Sequence, residues 1–234
     1  MAIHSSGTLL TAEEAAKILG VNQKRVRRLS SQGILGRTQD GRRLYITEKS
    51  VHEYMRYDRK PGRPFNQKTA LAALSMISGM RVPLTAKQRY RLKNTLMNTD
   101  VQHLLSLCRK RAEARDFWCR NSRLEDVAAQ LRLSSATGDM ADAFELTHTD
   151  NVEGYIEKSR LEELIARTYP RDNTSIPNVR VHITECDLSS FGTTMPIGVC
   201  AADLAESDDI REHAAGISKL EQLLTEFKQS HEGD

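Results

Sequence analysis

The stretch "LLTAEEAAKILGVNQKRVRRLSSQGIL", Leu9 to Leu35, decides how the N-terminal part of the chain folds. Thr11 is followed three residues later by Glu14, the spacing of a capping box, and Ala15, Ile18 and Leu19 then recur at helical intervals. Gly20 stops this short helix and Val21 fills the turn. Asn22 is a natural N-cap for a second helix from about Gln23 to Gln32, with Gly33 as its stop. Two short helices joined by a tight glycine turn form a helix-turn-helix. On the second of them Val26 and Leu29 face inward, which leaves Gln23, Lys24, Arg25, Arg27 and Arg28 spread over the other faces.

Next comes "ILGRTQDGRRLYITEKSVHEYM", in which Asp40-Gly41 has hairpin-turn chemistry and separates two short runs able to pair as strands. Arg37, Arg42 and Arg43 cluster around the tip of that hairpin. Thr47 then caps a third helix with Val51, Tyr54 and Met55 on its apolar side. In this order the segment from Leu9 to Tyr57 closely resembles the winged helix-turn-helix of the MerR and excisionase superfamily. The resemblance rests on the T-x-E-E-A-A helix start, the L-G-V turn, the basic helix and the Gly-Arg wing followed by a capped helix. It implies double-stranded DNA binding through the second helix and the wing. Gln23, Lys24 and Arg27 would then reach base edges, Arg28 and Ser30 phosphate, and Asn22 and Arg25 the same surface. Arg37, Arg42 and Arg43 would lean on an adjacent minor groove or phosphate run.

The chain changes character at "YDRKPGRPFNQ", Tyr57 to Gln67. Prolines and glycine are what an interdomain linker uses, and Pro61-Gly62-Arg63-Pro64 also resembles an AT-hook core, in which Arg63 would enter a narrow A·T minor groove. A linker that tracks a phosphate is the favoured reading. Charge is segregated along the sequence. Residues 1–65 hold 13 Lys and Arg against 6 Asp and Glu, residues 66–125 hold 12 against 4, and residues 126–234 hold 9 against 21. A basic half joined to an acidic half suggests a polyanion partner for the first and a different task for the second. The expected organisation is a winged helix-turn-helix over 1–60, a linker over 61–66, a basic helical segment over 67–121 and an acidic α+β domain over 122–234. The fold class is α+β, mainly helical.

In the middle segment, "KTALAALSMISGM" is apolar nearly all round and reads as a buried helix. "LTAKQRYRLKNTLM" starts with Thr85 as N-cap, and "TDVQHLLSLCRKRAEARDFWC" reads as a third helix. Lys87, Arg89, Arg91 and Lys93 crowd one of these, and Arg109, Lys110, Arg111 and Arg115 another. The two clusters would extend a DNA footprint, dock an acidic surface, or be solvated helix faces. In the acidic part, "RLEDVAAQLRL" reads as a helix and "SRLEELIARTY" as one begun by a capping box of Ser159 and Glu162. "NVRVHITECD" alternates as a strand, "MPIGVCAADLAES" enters as a buried strand and turns helical, and "DDIREHAAGISKLEQLLTEF" is an amphipathic helix.

The composition is 39% apolar and 28% charged, that of a globular protein, and no run approaches the roughly 18 apolar residues of a membrane span. The N-terminus lacks a basic segment followed by an apolar one, so the expected compartment is the cytoplasm. Cys108, Cys119, Cys186 and Cys200 fit no CxxC pair or dense disulfide framework and are expected as reduced thiols. There is no HExxH, P-loop, GxGxxG or GxSxG pattern, and the seven histidines are scattered. The expectation is therefore no catalysis, no metal and no cofactor. Asp203, Glu206, Asp208 and Asp209 span a strand-to-helix junction, and helix capping plus solvated charge accounts for them. The order of elements from Gly62 to Leu224, chiefly the G-R-P start and "A-x-D-L-A-E-S-x-D-x-R", resembles the C-terminal region of bacterial helix-turn-helix antitoxins related to the AbiEi family. These are typically encoded beside a nucleotidyltransferase-like toxin. The resemblance implies an antitoxin with a cognate toxin as partner. The expected mechanism is a repressor's occupancy of a promoter, with two or more copies, a homo-oligomer on repeated half-sites, supplying the affinity that one small module lacks. The alternatives are a MerR- or excisionase-like regulator or DNA-bending factor unrelated to a toxin, and a DNA-targeted enzyme acting on nucleotides.

Overall fold

The computed structural model describes residues 9–31, 34–40, 43–56, 63–147, 151–172 and 176–232. The chain divides into two compact units, Met1–Arg59 and Lys60–Asp234. The middle helices and the acidic region, expected as separate segments divided near residue 121, share the second unit. Of the linker expected over 61–66, Pro61 and Gly62 lie outside the described residues.

In the first unit, strand β1 (Leu9–Thr11) leads into helix α1 (Ala12–Leu19). The capping box is formed. Thr11 Oγ1 accepts from Glu14 N at 3.2 Å and Glu14 Oε2 accepts from Thr11 N at 2.7 Å, which satisfies two backbone donors that the helix itself cannot. Gly20 sits at φ 61°, a left-handed conformation that only glycine adopts without strain. The Gly20 N–H donates to Lys17 O and the Val21 N–H to Ala16 O, so the helix is closed in a Schellman turn. Helix α2 (Gln23–Ser31) starts at once, because Asn22 Oδ1 accepts from Arg25 N at 2.8 Å. Strands β2 (Arg37–Asp40) and β3 (Arg43–Thr47) form the hairpin, and α3 (Glu48–Arg56) ends the unit. The sheet order is β1-β3-β2, antiparallel throughout. Pairing extends to Asp40 opposite Arg43, so Asp40 belongs to the ladder rather than the turn. Leu10, Ala15, Val26, Leu29, Leu35, Ile46 and Val51 make the core, drawn from every element but β2.

The second unit opens with three capped helices, α4 (Gln67–Ile77), α5 (Ala86–Met97) and α6 (Val101–Cys108), whose N-caps are Asn66, Thr85 and Asp100. Helix α6 is shorter than its periodicity suggests. It stops at Cys108, and the chain emerges as strand β4 (Glu113–Trp118), which pairs with a strand more than sixty residues further on. There follow α7 (Leu124–Ala128), β5 (Arg132–Leu133), α8 (Met140–Ala143), β6 (Val152–Glu157), α9 (Leu161–Thr168), β7 (Arg171–Asp172), β8 (Val179–Thr184), α10 (Ile197–Leu204) and α11 (Ile210–Gln229). Two local expectations fail. Residues 158–160 already wind as a 3-10 turn, so α9 is preceded by Arg160 without a side-chain cap and the box of Ser159 and Glu162 does not form. The segment before α10 is not a buried strand: Pro196 is the helix's N-cap and only Thr194 bridges, to Leu133.

The five strands run in the order β5-β6-β8-β4-β7, with β6 and β8 parallel and the other pairs antiparallel. Alternation along β8 sends Val179, Val181 and Ile183 to one face, where they pack with Phe117, Val152, Ile156 and with Val127 and Leu164 of α7 and α9. The opposite face carries Arg180 and His182, with Glu153 and Tyr155 of β6 beside them. That polar face meets α10, a helix buried along nearly its whole length. Helix α11 crosses α10 so closely that a Cβ on Gly216 would stand 2.4 Å from Ala205 N and 2.6 Å from Ala201 O. Replacing Gly216 by Ala raises helix propensity by about 1 kcal/mol, yet the forced separation is expected to lower unfolding stability by about 1–3 kcal/mol. Urea unfolding checks this, and an unchanged or higher stability contradicts the close crossing.

Candidate nucleic-acid interface

Helix α2 is divided sharply between its two sides. Val26 and Leu29 are buried in the first unit's core, whereas Gln23, Lys24, Arg25, Arg27 and Arg28 are all exposed. Apolar periodicity explains the division: the helix is held by one stripe, and the remaining positions are free to carry charge. Among the described residues none of these four cations pairs with a carboxylate, so their charge is presented to solvent. Asn22 is exposed but its carboxamide oxygen is spent on the cap. Ser30 is a correction. It is only 2% exposed, because it lies four residues after Val26 on the packed stripe, and it is out of reach of a phosphate. In the hairpin Arg37 is exposed on β2, while Arg42 and the side chain of Arg43 lie outside the described residues. Arg63 is exposed at the start of the second unit.

This is a short capped helix, a glycine turn, an exposed basic helix and a hairpin, in that order. Residues 9–57 match the family model of a helix-turn-helix domain. No curated protein and no solved structure matches the chain. The helix-turn-helix domain is the fold of DNA-binding regulators, and its second helix is the one whose side chains meet the major groove. Among the described residues no helix is long and apolar enough to cross a membrane.

The basic residues after α6 turn out differently. Arg111, grouped with Arg109 and Lys110 as a surface cluster, is 2% exposed and lies between the sheet and α10. Its Nη1 and Nη2 donate to the two oxygens of Glu206, each at 2.7 Å, in a bidentate pair. Nη2 and Nε also donate to Asp203 Oδ1 at 2.6 and 2.9 Å, and Nε to Tyr155 Oη at 3.0 Å. Tyr155 Oη donates to Asp203 Oδ1 at 2.9 Å, and Ser134 Oγ donates to Asp203 Oδ2. The reading of Asp203 as solvated charge is thereby overturned, since its side chain is fully enclosed. Asp209 does act as the expected cap, accepting from Arg211 N and Glu212 N at the start of α11.

A second layer surrounds this pair. His182 stacks on Tyr155 with ring centroids 4.6 Å apart, and its Nε2 is 2.6 Å from Glu153 Oε1 and 3.9 Å from Asp203 Oδ1. Burial works against the imidazolium, but the charge of Asp203 and the bond to Glu153 outweigh it and hold the His182 pKa above its ordinary 6.5. Burial likewise works against the Asp203 carboxylate, and His182 and Arg111 outweigh that to bring its pKa below the ordinary value. Glu153, His182 and Asp203 place three potential metal-ligand atoms within 4.8 Å of one another. The Asp203 oxygens already accept from Arg111, Tyr155 and Ser134, and a guanidinium 2.6 Å away opposes a cation. The cluster is built as a hydrogen-bonded ion network.

Two outcomes follow from this geometry. Arg111→Met leaves the enclosed Asp203 carboxylate without its guanidinium and is expected to cost about 3–5 kcal/mol in urea unfolding; a loss below about 1 kcal/mol contradicts the network. His182 has a raised folded-state pKa, so the stability it contributes is complete below its unfolded value near 6.5 and is lost as pH rises through the raised one. Unfolding midpoints are expected to fall as pH rises across that interval, and His182→Gln to flatten the fall. An identical pH slope in the variant contradicts the assignment.

Proposed function

We propose that the protein is a sequence-specific double-stranded DNA-binding transcriptional repressor, the antitoxin of a bacterial toxin-antitoxin operon with a nucleotidyltransferase-like toxin. The observation that carries the DNA reading is the exposed row of Lys24, Arg25, Arg27 and Arg28, without a carboxylate partner among the described residues, on the second helix of a helix-turn-helix domain. Gln23, Lys24 and Arg27, near the start of that helix, read base edges, and Arg28 and Arg37 meet phosphate. Two copies on half-sites about 10 base pairs apart, or a multiple of that, supply the affinity that one small module lacks.

The antitoxin role is read from the resemblance of the second unit to AbiEi-related proteins. What supports it is the place of the shared pattern "A-x-D-L-A-E-S-x-D-x-R". Its Asp203 and Glu206 hold the buried Arg111 and its Asp209 caps α11, so the pattern works as a signature of how this unit is assembled. The protein acts by occupying a promoter, without catalysis. A second reading, a regulator that senses a small effector, has one feature in its favour: a polar cavity of about 190 Å3 lined by Asp116, Thr137, Glu153, Asn178, Arg180 and Asp203.

Mobility shift with a duplex selected by the chain from a random pool tests the proposal. Arg25→Glu, Arg27→Glu and Arg28→Glu together are expected to weaken binding at least about a hundredfold, with an unchanged circular dichroism spectrum. Undiminished binding removes α2 as the DNA-reading element. A reading frame beside the gene that encodes a nucleotidyltransferase-like protein, whose toxicity this chain relieves on co-expression, is the expected result for the antitoxin role; absence of relief contradicts it.

A further inference from the structure

From Arg59 to Thr99 the chain has nine Lys and Arg and neither Asp nor Glu. Helix α5 lies inside this stretch, in the second unit, and its charges are arranged against its own stability. Lys87 and Arg91 stand four residues apart, as do Arg89 and Lys93, and like charges at that spacing repel along a helix. Lys87 also sits in the first turn, where the helix dipole favours a carboxylate. Helix α5 has no Asp or Glu of its own to offset these charges.

The exposed side of α5 has a definite composition. Leu92 and Leu96 are buried, and Lys87, Tyr90, Arg91 and Asn94, at the spacing of one helical face, are exposed. Tyr90 keeps 66% of its surface in water, an amphipathic ring standing in the middle of a cationic row. Arg89 is turned aside, donating to Val82 O and Leu84 O at 3.5 and 3.4 Å. Beside the row runs a groove of about 250 Å3 lined by Arg91 and Gln88 of α5 and by Lys68 and Thr69 in the first turn of α4. Among the described residues no carboxylate pairs with Lys68, Lys87 or Arg91.

We propose that this face, Lys87, Tyr90 and Arg91 of α5 with Lys68 of α4, is a second contact surface for the phosphate backbone of duplex DNA. It rests on the reading of the helix-turn-helix domain as the element that selects the sequence. That domain brings a duplex to the same chain, and backbone phosphate is the anion that a cationic face of this kind recognises. Because phosphate contacts position a protein without reading bases, this face adds affinity and salt dependence and leaves sequence preference alone. The structure also separates it from the cluster after α6, where Arg111 is consumed in the core.

The test is the salt dependence of binding by the full chain, on the duplex it selects. Lys87→Gln with Arg91→Gln is expected to reduce the steepness of log K against log salt by about 1.8 units, roughly 0.9 for each lost phosphate contact. The base preference of the double variant is expected to stay as it was. Arg27→Ala in α2 is expected to alter that preference, which keeps the two surfaces apart. An unchanged slope in the α5 variant, with Arg27→Ala still disturbing preference, overturns the second surface and leaves the first. Loss of binding to a poly-glutamate matrix alone, with the DNA slope intact, assigns the face to an acidic protein and overturns the proposal. Failure of the unaltered chain to retain any duplex overturns both.

Discussion

A guanidinium leaves water only where carboxylates receive it, and the placement of Arg111 shows what that rule demands of this fold. The residue follows α6 in a run of basic residues, and it is drawn inward by Asp203 of α10 and by Glu206 just after that helix, more than ninety residues later. Through Tyr155 and Ser134 the same network fastens β6 and the segment after β5 to α10. His182 and Glu153 enclose it on the sheet. The second unit is thus joined across its polar face by charge, and across its other face by Phe117, Val181, Ile183 and their apolar neighbours.

The same rule sorts the remaining cations. Lys24, Arg25, Arg27 and Arg28 of α2 and Lys87 and Arg91 of α5 have no carboxylate partner among the described residues and stay in water, and the helices are anchored from behind by Val26 and Leu29 or by Leu92 and Leu96. A surface of unpaired positive charge on a rigid support is what a polyanion requires of a protein. Stability and function are therefore divided among chemically identical residues by what lies opposite them.

How much of this was legible follows from the range of each signal. The first unit is written in short-range terms: Thr11 with Glu14, Gly20, Asn22, and the paired runs around Asp40, all within a few residues of what they specify. Ser30 was legible too, since its spacing from Val26 puts it on the buried stripe, but its chemistry suggested a phosphate contact instead. Strand β1 is three residues long and is fixed by pairing with β3, more than thirty residues away, so no local pattern announces it. Strand β4 hides in "EARDFW", whose charges fit a helix face as well as a strand, and only its register with β8 decides. Arg111 was invisible as a core residue because both of its acidic partners lie far along the chain.

The account stands on this sorting of arginines into exposed and enclosed sets, and arginine-selective labelling with phenylglyoxal, read by mass spectrometry with and without the selected duplex, measures it directly. Arg25, Arg27 and Arg28 are predicted to react quickly in the free protein and to be shielded by DNA, while Arg111 stays unreactive in both states. Equal labelling of the α2 arginines with and without DNA, or reaction of Arg111 at their rate, would contradict it.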